Sequence, residues 1–81
     1  MESGTNLWSR IMELIAQMEE DQRGILLRCG RRIVPTLTSE DVLQPNDYVE
    51  LENHPYFRYE EGILAGIQTV QMALRAIQKK G

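Results

Sequence analysis

YFRYEEGILAGIQTVQMALRAIQK, residues 56–79, decides the fold of this chain. Ile63, Ile67, Val70, Leu74 and Ile77 recur at alternating spacings of four and three. That period keeps one seam of an α-helix turned toward a partner helix, as in a coiled coil. Beside the seam run Gly62, Gly66, Thr69, Ala73 and Ala76. Glycine inside a helix costs about 1 kcal/mol relative to alanine, so two of them one turn apart point to a close approach by another backbone. The same spacing occurs in membrane helices, but the surrounding Gln68, Gln71, Arg75 and Gln78 do not suit lipid. Glu60 and Glu61 stand near the positive end of the helix dipole, and Arg75, Lys79 and Lys80 near the negative end. Pro55 suits the first turn, with Asn53 or His54 as the cap.

Upstream, residues 6–29 predict a second long helix, with Thr5 or Asn6 available as its cap. Leu7, Ile11, Leu14, Met18 and Ile25 form one apolar stripe, and Trp8, Met12, Ile15, Leu26 and Cys29 its neighbour. Gly24 follows the polar run Glu19 to Arg23 and marks a point where this helix can kink. Gly30 predicts a left-handed C-terminal cap, with Arg28 in the last turn. Residues 30–55, punctuated by Pro35, Pro45 and Pro55, form the connection. Thr38 or Ser39 before Glu40, Asp41, Val42 and Leu43 predicts one capped helical turn over 39–44, ended by Pro45. Val42, Leu43, Tyr48, Val49 and Leu51 are the expected anchors of the connection to the helices.

The fold class is therefore all-α, a single domain of two long antiparallel helices joined by an ordered connection. Each helix is about 35 Å long at 1.5 Å per residue. Two helices share one interface, yet the sequence offers a wide apolar side on the first and two stripes on the second. A homodimer forming a four-helix bundle would cover the surplus. The expected packing and dimer residues are Leu7, Ile11, Leu14 and Met18 from the first helix, and Gly62, Ile63, Gly66, Ile67, Val70, Ala73, Leu74 and Ile77 from the second.

With 81 residues, the chain can bury only a modest core. Its 42% hydrophobic and 26% charged content is that of a folding chain rather than a disordered one. A net charge of −3 argues against a general binder of nucleic acid. The single cysteine, Cys29, has no partner for an internal disulfide, and the opening MESGTNLWSR lacks the pattern of a secretory signal. No apolar run reaches bilayer length. The expectation is a cytoplasmic protein with no membrane role.

Metal or carboxylate chemistry in a helical bundle needs E-x-x-H or E-x-x-E spacings, and neither occurs. Glu50 and His54 lie four apart within the connection, where His54 reads as a capping or surface residue. Cys29 falls on an apolar stripe and reads as a buried structural thiol, although a cleft joining it to His54 would reopen catalysis. No phosphate loop or dinucleotide fingerprint is present, so no catalytic, metal or cofactor residues are assigned. Arg28, Arg31 and Arg32, with Arg23 nearby, are the one basic concentration, suited either to an anionic partner or to capping the helix end. Tyr56, Phe57, Arg58 and Tyr59 read either as a plug on the end of the core or as an exposed protein-binding hot spot. These residues together predict a non-catalytic interaction or adaptor module. A nucleic-acid-associated regulator using Arg28, Arg31 and Arg32 is the alternative, and a small helical enzyme a third.

Overall fold

The computed structural model describes residues 4–80, with side chains from 7 to 79. Helix α1 runs Gly4–Ile33, helix α2 is the short Val49–Glu52, and helix α3 runs Pro55–Lys80. Two 3-10 turns, Asp41–Leu43 and Pro45–Asp47, precede α2. There is no strand among the described residues. Gln22 of α1 bonds to Glu60 of α3, and Glu19 bonds to Gln68. Falling numbers on α1 thus meet rising numbers on α3, so the long helices are antiparallel.

Helix α1 passes through Gly24 and Gly30 without interruption, which corrects the expected cap at Gly30. No described glycine has a positive φ. The reason for glycine at position 30 is space: a Cβ there would overlap Leu37 Cδ2 and lie 3.3 Å from Phe57 Cε1. Leu37 comes from the connection and Phe57 from the first turn of α3, so a single bare spot on α1 receives both. The helix ends one turn later, where the Val34 amide donates to the Gly30 carbonyl ahead of Pro35. Arg31 Nε donates to the Leu37 carbonyl at 2.8 Å, fixing the first bend of the connection. The proposed caps Thr5 and Asn6 are themselves helical, and their side chains lie outside the described residues.

In the connection, the Asp41 amide donates to Thr38 Oγ1 and the Thr38 amide to Asp41 Oδ2, each at 3.1 Å. These reciprocal bonds lead into the turn expected over 39–44, which is narrowed to Asp41–Leu43 and whose N-cap, Glu40, makes no side-chain capping bond. Of the expected anchors, Val42 and Leu51 are buried and Tyr48 half-buried. Leu43 and Val49 are exposed, because these tight turns present only some of their side chains inward. The core is Leu26, Leu37, Val42, Leu51, Phe57 and Leu64. All of it lies at the end of the hairpin closed by the connection.

The contact seams differ in phase from the sequence expectation. On α1 the neighbouring stripe packs: Trp8, Met12 and Ile15 are half-buried and Leu26 buried, whereas Leu7, Leu14, Met18 and Ile25 are exposed. On α3 the seam centres on Phe57, Leu64 and Gln71, which are buried, while Ile63, Ile67 and Leu74 are half-buried beside it. Val70 and Ile77 are exposed. The phase shifted because Gln22 and Gln71 occupy the seam, each only 7% exposed, and apolar periodicity passes over polar members. Gln22 Nε2 reaches the Glu60 carbonyl at 3.0 Å and its Oε1 at 2.7 Å, so its burial is compensated by hydrogen bonding.

The small residues Gly62, Gly66, Thr69, Ala73 and Ala76 are all exposed. A Cβ at Gly62 or Gly66 would meet nothing within 4 Å, so these glycines admit no neighbour within the chain. The two sets of glycines should therefore respond oppositely to substitution. Gly62→Ala should stabilise the fold by up to about 1 kcal/mol through helix propensity. Gly30→Ala should destabilise it by about 1–3 kcal/mol through overpacking against Leu37 and Phe57. Urea unfolding followed by circular dichroism measures both; equal effects would contradict the assignment of Gly30 as a packing site.

Candidate interaction surface

The connection covers one flank of the hairpin. Its residues Ser39, Glu40, Val42 and Leu43 border Arg23, Gly24 and Leu27 of α1, while Val42, Leu43 and Pro45 border Glu61, Leu64, Ala65 and Gln68 of α3. At 100° per residue, Ile25, Arg28 and Arg32 of α1 and Tyr56 of α3 face the other flank, where they line a separate cleft. The heptad rows through these residues stay on that side. On α1 they are Leu7, Leu14, Asp21, Arg28 and Ile11, Met18, Ile25, Arg32; on α3, Tyr56, Ile63, Val70, Ile77.

One face of the hairpin is thus largely apolar, and none of the connection lies over it. Leu7 is 53% exposed, Leu14 61%, Val70 50% and Ile77 62%. Ile11, Ile63, Ile67 and Leu74 are half-buried between the helices and the face. Of the twelve residues expected at the helix packing or dimer interface, eight are exposed within the chain.

At the closed end this face meets a cleft of about 580 Å³. Ile25, Cys29 and Ile33 form its apolar wall from α1, and Tyr56 and Glu60 its wall from α3, with His54 between. Arg28 and Arg32 stand over it without a hydrogen bond or ion pair to any described residue. The other two arginines of the basic concentration are engaged: Arg23 Nη2 with Glu19 at 3.0 Å, and Arg31 with the Leu37 carbonyl. The concentration therefore divides into two structural and two unengaged cations.

The aromatic segment divides likewise. Phe57 is fully buried and plugs the core, so it is no partner-binding residue, because its ring fills the space above Gly30. Arg58 pairs with Glu61 at 3.4 Å. Tyr56 and Tyr59, at 73% and 66% exposure, flank a shallow apolar depression with Pro55.

Cys29 and His54 do line the same cleft, the juxtaposition the sequence left open. Burial, aided by the Glu60 carboxylate, raises the Cys29 thiol above its ordinary value against a weaker pull from Arg32. A cysteine nucleophile needs the opposite shift. His54 Nδ1 is buried with no hydrogen-bond partner, so it binds neither Cys29 nor Glu60. The backbone carbonyl of His54 accepts from the Arg58 amide, as that of a residue capping the start of α3 does. Among the described residues no group of three or more His, Cys, Asp or Glu is placed to hold a metal ion, and no helix is long and apolar enough to cross a membrane. No family model, curated protein or solved structure matches the chain.

Two carboxylates tie the framework of this surface to pH. The bond from Gln68 holds Glu19 below the ordinary carboxylate range, with Arg23 assisting. The bond from the Thr38 amide does the same for Asp41, with the Thr38 hydroxyl assisting. Folded values below unfolded ones mean that their stabilisation is full above the unfolded pKa and is lost as pH falls through the folded one. The urea midpoint should therefore drop as pH is lowered below about 4, and Asp41→Asn should reduce that drop. For Cys29 the raised thiol predicts slower alkylation by iodoacetamide at pH 8 than in the urea-unfolded chain. Mass spectrometry reads the rate, and faster reaction in the folded chain would restore a nucleophilic cysteine.

Proposed function

We propose that this protein is a non-catalytic interaction module that acts as a homodimer, two hairpins laying their uncovered faces together as a four-helix bundle. The observation that carries the reading is the apolar face from Leu7 to Ile25 on α1 and Tyr56 to Ile77 on α3, opposite the connection. Monomeric proteins rarely leave an apolar patch larger than a few hundred Å² open to water. The molecule measures 49 × 22 × 19 Å, so a side of it is of the order that stable dimers bury, about 800 Å² per partner. The heptad rows on both helices supply the knobs and holes of such a bundle.

A second copy fits this face better than an unrelated partner for a reason of fold. The core is confined to the closed end, and toward the open end the seam consists of half-buried Trp8, Ile11, Met12, Ile15 and Leu74. Chains of this size commonly complete their cores by oligomerisation. The proposal places the dimer in the cytoplasm, where a lone thiol such as Cys29 stays reduced. Nucleic-acid binding draws less support, since two unengaged arginines are few for a track of phosphates.

Sedimentation velocity across about 1–100 µM tests the proposal, bracketing micromolar affinity. The wild type should sediment as a dimer at the upper end, with the emission of Trp8, the sole tryptophan, moving to shorter wavelength as association proceeds. Leu14→Glu with Val70→Glu should weaken association by roughly a hundredfold or more, because each buried aliphatic side chain contributes about 1.5–3 kcal/mol. Neither residue belongs to the closed-end core, so the variant retains helical circular dichroism. A wild type that remains monomeric throughout would overturn the reading.

A further inference from the structure

The cleft at the closed end has the features of a ligand site rather than of a leftover gap between helices. Its volume of about 580 Å³ lies within the roughly 300–1,000 Å³ typical of small-molecule pockets, which pair apolar walls with a few placed polar groups. The apolar walls here are Ile25, Cys29, Ile33 and the exposed ring of Tyr56. The polar groups are Arg28 and Arg32, neither of which is engaged by another described residue. In helix termini such cations ordinarily bond to carbonyls or acids, as Arg31 and Arg23 do here. Arg28 and Arg32 make no such bond to a described residue, and both line the same cleft, Arg28 with its Nη1 lying back toward Gly24. His54, on the same wall, has its Nδ1 buried and unsatisfied, a state whose desolvation a ligand atom or a water would relieve.

The charge of the lining selects among anions. Two arginines are opposed by one carboxylate, Glu60, whose Oε1 is held by Gln22 at 2.7 Å. The balance of one positive charge suits a monoanion and disfavours a polyphosphate. Guanidinium groups favour a carboxylate, which they can grip with two parallel hydrogen bonds. We infer that this cleft binds a small organic monocarboxylate with an aromatic or branched aliphatic body, the carboxylate on Arg28 and Arg32 and the body against Ile25, Ile33 and Tyr56. The site shares Ile25 and Tyr56 with the end of the uncovered face, but every residue that lines it comes from one chain, so it does not require self-association.

The test uses the full chain and two probes of equal shape, sodium 4-phenylbutyrate and 4-phenylbutan-1-ol, in an amide NMR titration. The carboxylate should give saturable shifts centred on Cys29, His54 and Tyr56 with a dissociation constant of about 1 mM or below. The alcohol should bind at least about tenfold more weakly, as should the carboxylate to Arg28→Gln with Arg32→Gln, for loss of the charge-assisted bonds. Both arginines are exposed and unengaged, so the substituted chain folds. The Leu14→Glu, Val70→Glu variant should bind the carboxylate as the wild type does, whatever the oligomeric state. Absence of saturation at about 10 mM, equal binding of the alcohol, shifts centred on Leu14 and Val70, or tighter arginine-dependent binding of a single-stranded oligonucleotide would each overturn the assignment.

Discussion

The absence of a side chain at Gly30 is the constraint on which the rest of this hairpin depends. Leu37 and Phe57 occupy the space a Cβ would take, so the chain leaving α1 folds back against the helix it has just left, and α3 starts in contact with that same turn. Both side chains are almost wholly buried. With Leu26, Val42, Leu51 and Leu64 they make a core that a helix ending at position 30 would not have supported. Continuing to Ile33 also brings Arg31 to the Leu37 carbonyl, which ties the bend to the helix electrostatically as well as sterically.

Because the connection is committed to one flank, no described residue of it covers the opposite flank, and the consequences run the length of the molecule. Polar pairs fix the register between the helices, Gln22 with Glu60 and Glu19 with Gln68, and Arg23 holds Glu19 from within α1. Such bonds contribute specificity more than net stability, since each replaces bonds to water. Apolar burial supplies stability, and it is concentrated at the closed end. Toward the open end the apolar side chains of the seam are only half-buried, which makes it the part most dependent on a neighbour. Arg28 and Arg32, without an ion pair among the described residues, and the cleft sit where the covered and uncovered regions meet.

The sequence was most informative where one residue type has one physical use. Pro55 at the first position of α3, the reciprocal bonds between Thr38 and Asp41 and the two long helices all follow from local rules. It misled where a residue has two uses. Glycine serves as a helix terminator or as a packing notch, and at Gly30 only the three-dimensional neighbours Leu37 and Phe57 decide. Apolar periodicity showed a broad side on each helix but not which part of it faces inward. The inward part includes Gln22 and Gln71 beside Leu26, Phe57 and Leu64, and a hydrophobic pattern does not register buried polar residues. Leu37, in a polar stretch beside Pro35 and Thr36, carried no periodic signal. The cleft was illegible for a related reason: Cys29, Arg32 and Tyr56 converge only after the phase of both helices is known.

The uncovered face is the feature whose occupancy distinguishes a lone hairpin from half of a bundle. The most direct measurement is an isotope-filtered NOE experiment on a mixture of labelled and unlabelled chains, which records only contacts between copies. Self-association through this face predicts intermolecular NOEs joining methyl groups of Leu7, Leu14 and Met18 to those of Val70, Leu74 and Ile77. Intermolecular NOEs from Val42, Leu43 or Val49 on the connection side, or none at millimolar concentration, would contradict it.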